Sequence, residues 1–559
     1  MTRALALAVA LLALAAPAAG AHATLESTVP ERGSAAATAP EQVELRFSEP
    51  VELALGAVRV YDTDGREVQR GDAFHPGGSA AAVAVRLSAG LADGGYTVTY
   101  RVVSADSHPV SGGFVFAVGE DAAPPARGVA ELLGDQEAGP VTSVAFTAAR
   151  AVQYGAIALG LGLLAVLLLV WRPALRATGA GDAAGRAFAA QARRVLLAAA
   201  VAGAVSGVVA IGLQAATAQG TPLWSALGAA GDVLETRFGT VWGIGVLAWL
   251  AAGALALAGR PLAAAVPLAW LALLPGLGGH AGVQDPVAVL LPANVLHVLG
   301  ASAWIGGIAV LVLALPAATR AVGAEARTPL LAATMARFST IALAGVAALL
   351  AGGILQSLLQ LDAVADLVET AFGRAILVKA GLVLSLLVLG GLNRRRILPA
   401  LDRAAADGAS PGRAGALLRR SLRAEVALGI AAFAATGALA GYPPGTTEAS
   451  GPYSASAPLG PARVDLTVEP AQAGPNELHL YLFDAQDGTQ YDVPSEVAAS
   501  AALPERGIEP LALDLRKAGP GHYVAGGAPL SPAGDWRLEL VARVSEFDEL
   551  RTAFEVPVR

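Results

Sequence analysis

The pattern of apolar and polar residues divides the chain into a β-rich start, a long apolar middle and a β-rich end. Between residues 22 and 119, short runs alternate apolar and polar positions, the period of a strand with one buried face. These runs cover residues 43–47, 58–61, 83–87, 96–102 and 114–118. Turn sequences such as Asp64-Gly65 separate them. Short strands at this spacing predict a small Ig-like all-β sandwich over residues 22–119.

The last part of the chain repeats this kind of pattern. Strand-like runs at 464–468, 478–483 and 536–544 are separated by turns such as Asp487-Gly488, which predicts a second small β-sandwich over 450–559. Residues 120–143 are rich in Ala, Pro, Gly and acids and are interpreted as a linker.

The middle, residues 144–442, predicts an all-α polytopic membrane domain. About eight apolar segments are centred near residues 160, 204, 247, 269, 303, 349, 383 and 432. Each approaches the roughly 20 residues that a helix needs to cross a bilayer.

Arginine placement predicts the orientation of these spans. The loops after the first, fifth and seventh spans are rich in arginine, whereas the alternate loops carry acids such as Asp232 and Glu235. Because arginine-rich loops stay in the cytoplasm, both β-rich ends are expected on the extracytoplasmic side of the plasma membrane, in the periplasm.

The first 21 residues are interpreted as a signal peptide. Arg3 precedes a short apolar run at 4–16, and Ala19-Gly20-Ala21 fits the pattern of small residues at a cleavage site. The alternative is a first membrane helix, for which the run is short. Cleavage after Ala21 would leave His22 at the start of the mature chain.

Composition narrows the possible chemistry. Hydrophobic residues make up 55% of the chain and charged ones 15%, well below the roughly 25% charged residues of globular domains. There is no cysteine, which excludes disulfides and thiolate metal sites, and only two methionines, which leaves no set of soft thioether ligands. A net charge of −7 gives no indication of a nucleic-acid partner.

A mature N-terminal histidine has distinctive metal chemistry. Its free α-amine and its ring Nδ1 can chelate one metal ion, and Asp106 and His108 add an oxygen and a nitrogen. If 106–108 is extended, positions 106 and 108 project to the same face. Such a nitrogen-rich set favours Cu(II). The alternative is that His22 is a loose terminal residue and that the common D-x-H triplet binds nothing.

These residues also carry a family resemblance. His22-Ala23, the run VELRFSEPV at 43–51 and the run YTVTYRVVSADSHPVSGGFVFAV at 96–118 resemble the CopC copper-binding domain. The resemblance implies that His22, Asp106 and His108 bind Cu(II). Because the methionines of the Cu(I) site found in some members are missing, it implies a Cu(II)-only version. His75, in a Pro-Gly-Gly loop, is expected to be solvated.

The middle and the end of the chain resemble two further families. His297 with Trp304-Ile305-Gly306-Gly307, Arg337-Phe338-Ser339, Phe372-Gly373-Arg374, Lys379 and Asn393-Arg394 resemble the CopD membrane domain. Gly521-His522-Tyr523 and Gly534-Asp535-Trp536 resemble the small YtkA-like outer domain. A CopC–CopD fusion is a known arrangement.

Polar residues within the spans are the candidates for an intramembrane site, since ionisable groups in a bilayer are costly. Asn294, His297 and Trp304 fall on one face of the fifth span, and Gly306-Gly307 would let another helix approach closely. His297 is therefore predicted to bind metal or transfer a proton, or else to be a structural hydrogen-bonding group. Lys379 is expected to extend toward the outer surface. His280 is expected at the outer mouth between the fourth and fifth spans, either as a ligand at the entrance or as a loop histidine. Gln356 and Gln360 either line a path or hold helices together.

The sequence thus predicts a copper-uptake or copper-homeostasis membrane protein that is not an enzyme. Its expected partners are the copper ion, the lipid bilayer and other copper-handling proteins. No P-loop or aspartyl-phosphate motif indicates a primary pump. The alternative is a membrane metallochaperone that delivers copper to an oxidase without net transport. A haem-binding reductase ranks lower, because only His297 lies well within a span.

Overall fold

Strands form both ends of the described chain and helices form its middle. The structure, a computed structural model, describes residues 23, 25–32, 34–104, 109–119, 132, 138–226, 228, 230–361, 363–442, 453–469, 471–486 and 489–558. They form two compact units. One holds the helices of 140–215 and 230–445, and the other holds both β-domains and the segment 216–229.

The N-terminal domain is the predicted sandwich, built from two four-stranded sheets with orders β1-β3-β6-β5 and β2-β8-β7-β4. Its core includes Leu45 and Val85 of one sheet and Val98 and Phe116 of the other. All five predicted runs lie within strands. The strands are β1 Leu25–Val29, β2 Ala35–Ala36, β3 Gln42–Phe47, β4 Val51–Tyr61, β5 Gln69–Phe74, β6 Ala82–Leu87, β7 Gly94–Ser104 and β8 Pro109–Val118, with a 3-10 turn at Pro76–Gly78.

The C-terminal domain is also β-rich, with a five-stranded sheet of order β14-β15-β11-β10-β9 and a four-stranded sheet of order β13-β12-β16-β17. Trp536 is fully buried between them and donates a hydrogen bond from Nε1 to the Pro532 carbonyl at 2.9 Å. The strands are β9 Tyr453–Leu459, β10 Ala462–Glu469, β11 Gly474–Asp484, β12 Glu496–Leu503, β13 Ile508–Leu513, β14 Arg516–Gly519, β15 His522–Leu530, β16 Gly534–Arg543 and β17 Glu549–Val558, with a 3-10 turn at Pro504–Arg506.

The middle of the described chain contains seven helices that are long and apolar enough to cross a membrane, and one shorter apolar helix. Every predicted span centre lies in one of these eight. The helices are α1 Gly139–Thr178, α2 Gly181–Gln219, α3 Arg237–Leu257, α4 Ala265–Leu277, α5 Val287–Arg320, α6 Ala324–Gln360, α7 Ala371–Ala406 and α8 Gly412–Leu439. Short turns of helix lie at Leu223–Ala226, Ala230–Val233 and Asp366–Glu369, and a 3-10 turn at His280–Gly282.

The close helix approach predicted at Gly306-Gly307 is present between α1 and α5. Gly306 lies in a π-helical turn, Ser302–Gly306, and a Cβ there would collide with the Ala158 carbonyl of α1. From the other side, a Cβ on Gly162 would lie 2.6 Å from the Ser302 carbonyl oxygen. Glycine on both helices therefore lets the two backbones touch, as small residues do at membrane helix interfaces.

Gly306→Ala should destabilise the protein, whereas the matched change Gly381→Ala should not. Nothing lies within 4 Å of a Cβ on Gly381 in α7, so that control gains the helix preference of alanine, up to about 1 kcal/mol. Overpacking at Gly306 costs about 1–3 kcal/mol. Thermal unfolding of the two detergent-purified variants measures this, and equal melting temperatures would contradict the α1–α5 contact.

Candidate metal centres

The predicted ligands His22, Asp106 and His108 lie outside the described residues, as does the signal peptide. The residue that follows His22 is described: Ala23 is 1% exposed and belongs to the core of the N-terminal domain. Two residues later, Leu25 opens β1 and pairs with Phe47 at the end of β3. The chain is therefore anchored directly after the predicted N-terminal histidine.

The strands that flank residues 105–108 are described as well. β7 ends at Ser104 and β8 begins at Pro109, and Val103 pairs with Pro109 across the two strands. On the other side of β7, Ser104 pairs with Val51, the first residue of β4.

These two anchor points lie at the same end of the sandwich. Phe47, the partner of Leu25, is separated from Val51, the partner of Ser104, by only residues 48–50. The start of β1 and the β7–β8 connection are thus attached to neighbouring points of the fold. This placement is what a site shared between His22 and the Asp106–His108 segment requires.

His75 is half-buried rather than fully solvated. Its Nδ1 lies 2.8 Å from the Ala82 carbonyl oxygen, a hydrogen bond that ties the turn at Pro76–Gly78 to β6. This bond gives the ring a local structural partner.

His297 joins three membrane helices. It lies in α5, and its Nδ1 is 2.8 Å from the Leu349 carbonyl oxygen of α6. Because a carbonyl only accepts, Nδ1 carries the proton. The Nε2 lone pair then faces the Lys379 amine of α7 at 3.3 Å. The ring is neutral, with its one metal-binding nitrogen directed at a lysine.

Two glycines of α6 make room for this ring. A Cβ on Gly353 would lie 3.0 Å from both Cε1 and Nδ1 of His297. A Cβ on Gly352 would collide with the Ala293 carbonyl of α5. The sequence signal for this contact is the pair of consecutive glycines within an apolar helix, which was not among the predictions.

The predicted polar face of α5 does turn toward α6. Asn294 donates from Nδ2 to Gln356 Oε1 at 2.9 Å, and Gln356 donates to the Gly352 carbonyl at 3.0 Å. Of the two roles considered for Gln356, holding helices together is the one its contacts show. The Asn294 Oδ1 atom is buried and has no hydrogen-bond partner among the described residues.

The expected direction of Lys379 was wrong. Instead of reaching the outer surface, its amine lies against the His297 ring. The physical reason is that an unused imidazole lone pair lies within reach, and a polar group in an apolar layer is stabilised by such a partner.

His280 opens the 3-10 turn between α4 and α5 and is buried. Its ring forms a T-shaped pair with Phe372 at a centroid distance of 6.5 Å. A buried polar pair that was not predicted joins α7 and α8, where Asn393 donates from Nδ2 to Glu425 Oε1 at 2.5 Å. The sequence signal for this pair is Glu425, a single acidic residue inside a predicted span.

Within the described ranges, no three His, Asp or Glu side chains are grouped closely enough to hold a metal ion.

Three family models match the chain. They are the CopC domain at residues 25–119, the N-terminal domain of copper resistance protein D-like proteins at 141–290, and copper resistance protein D at 332–439. The matches follow the order of the β-domain and the membrane helices along the chain.

The chain is similar to one protein of nearly its own length and to shorter proteins. The copper transport protein CutJ of Bacillus subtilis is 26% identical over 552 residues, 96% of this chain and 95% of that protein. Copper resistance protein C of Escherichia coli is 32% identical over 108 residues, 18% of this chain and 82% of that protein. The crystal structure of CopC from Methylosinus trichosporium OB3b is 29% identical, covering 19% of this chain and 99% of that one, with a TM-score of 0.16.

Proposed function

Because the chain belongs to the CopC–CopD family of copper-resistance proteins, we propose that it captures Cu(II) outside the plasma membrane and carries copper inward. The chain is a multi-pass membrane protein of copper handling.

The main support for this proposal is the domain composition of the chain. A single polypeptide joins a CopC domain to both CopD-type segments, and 96% of its length aligns with a copper transport protein. A binding domain attached to a membrane domain raises the local ion concentration at the membrane entrance, since the second encounter becomes intramolecular.

The outer step is proposed to use His22, Asp106 and His108. Their flanking residues, Ala23 and the paired Val103 and Pro109, lie at one end of the sandwich, which supports a shared site. Two imidazoles, an amine and a carboxylate form a set that prefers Cu(II) to Zn(II). The arginine distribution of the loops supports placing this domain outside.

The membrane step is proposed to use His297. Its Nε2 is the nitrogen that could bind copper, and Lys379 now donates to it. A copper ion and an ammonium group compete for the same lone pair and repel each other. Copper can therefore bind His297 only when Lys379 withdraws or loses its proton, and the return of Lys379 would release the ion. No covalent chemistry is required, so we propose a carrier and not an enzyme.

Deletion of the protein should lower total cell copper at limiting external copper, and re-expression should restore it. Copper mass per cell measures this, together with the activity of a copper-dependent oxidase. A metallochaperone would leave total copper unchanged and lower only the oxidase activity, so unchanged accumulation with reduced oxidase activity would contradict transport.

A further inference from the structure

Two histidines lie side by side on the five-stranded sheet of the C-terminal domain, on the face that points away from the domain core. His479 lies in β11 and His522 in the neighbouring strand β15, where His522 pairs with Tyr481. The Nδ1 atom of His479 is 3.2 Å from the Nε2 atom of His522. Strand alternation places both rings on the face opposite Leu478, Leu480 and Leu482, which belong to the core.

The separation of the two nitrogens suits a shared metal ion. Imidazole nitrogens bind first-row ions at about 2.0–2.1 Å, so two of them lie about 2.9 Å apart at a right angle and about 3.3 Å apart at a tetrahedral angle. The observed 3.2 Å falls within that interval. The strands therefore already hold the nitrogens at the spacing of a chelate.

Glu477 selects the tautomer of His479. Its Oε1 lies 3.5 Å from His479 Nε2, and the hydrogen bond from His479 lowers the pKa of this carboxyl below its ordinary value. His479 then carries its proton on Nε2 and presents the Nδ1 lone pair to His522. A carboxylate behind a histidine is the usual second partner of metal-binding imidazoles.

The pair is enclosed rather than open to solvent. His479 is 7% and His522 is 9% exposed, and the Tyr481 ring stacks on His522 at 4.3 Å. The N-terminal domain covers this face, since Val115 packs against Tyr481. A cavity of about 10 Å³ lies beside His479 and Tyr481, with room for about one water molecule. The buried Tyr481 hydroxyl has no hydrogen-bond partner among the described residues.

We propose that His479 and His522 form a second copper site, with water completing the coordination. The choice of Cu(II) rests on the proposed function and on the affinity order of divalent ions. When the ion binds, the proton of His522 moves from Nε2 to Nδ1 of the same ring, so that both facing nitrogens offer lone pairs. Glu477 is a positioning residue and touches no metal.

The test uses the full-length protein in detergent with His22→Ala, Asp106→Ala and His108→Ala, which separates the new site from the outer one. This background should retain one equivalent of Cu(II) more than the same protein with His522→Gln or His479→Gln. His75→Gln, the matched control on the N-terminal domain, should lose none. Glu477→Gln should keep the site but weaken it about 10- to 100-fold.

Equal copper content in the background and in both folded histidine variants would overturn the site, whatever the outcome for transport. If either variant fails to fold, the EPR spectrum of the background decides. Superhyperfine splitting from two imidazole nitrogens, present also when His297→Gln is added, is expected. A spectrum without imidazole nitrogens in that protein would overturn the proposal equally.

Discussion

A chain that keeps one extra residue before His22 should bind Cu(II) at least about tenfold more weakly than the correctly processed chain, a loss of about 1.4 kcal/mol. The added residue converts the α-amine of His22 into an amide, which no longer offers a lone pair to the metal. The histidine ring remains, but the chelate ring is lost. Competition titrations on the two forms of the protein measure the difference.

The control for this experiment is removal of the extra residue by a specific protease, which should restore full affinity. Ala23 is packed in the core, so the added residue should leave the fold unchanged. Identical affinities before and after removal would show that the amine is not a ligand.

His297→Ala should reduce copper accumulation to the level of cells that lack the protein. His297→Gln should fail equally, although a glutamine amide can still donate to the Leu349 carbonyl. The reason is that glutamine replaces the hydrogen bond but is a poor metal ligand. Full activity of the Gln variant would make hydrogen bonding the only role of the residue.

The matched control for this pair is Ser385→Ala, a polar residue of α7 whose hydroxyl bonds the Gly381 carbonyl of its own helix. It should accumulate copper normally. Membrane expression and Cu(II) binding by the outer domain should be unchanged in all three variants, because the outer ligands belong to another domain. Wild-type accumulation in the Ala variant would remove His297 from the mechanism.

Much of this architecture follows from periodicity. The runs of the N-terminal domain with β-branched or aromatic residues at alternate positions all form strands, and the eight apolar segments all form helices. Two of the strands that were not predicted, β12 and β15, have a different composition. β12 is rich in alanine and β15 contains Gly526-Gly527 and Pro529, residues with low strand preference. Pairing with neighbouring strands, not local preference, makes these segments extended.

The sites, too, could be predicted from the sequence only in part. His297 was predicted from the cost of a polar group in a bilayer, but its partners Leu349 and Lys379 come from two other helices. The pair His479 and His522 is 43 residues apart and depends on the register of β11 against β15. A single sequence does not specify such a register. Side-chain direction and strand pairing were therefore the missing information.

The most direct test of the proposed carrier is copper flux into proteoliposomes that contain only this purified protein and an internal copper indicator. With copper added outside, we expect entry well above that of protein-free vesicles, and entry near that background for the His297→Ala protein. Flux no greater than in protein-free vesicles, from protein that still binds copper, would contradict transport and leave a copper-binding membrane protein.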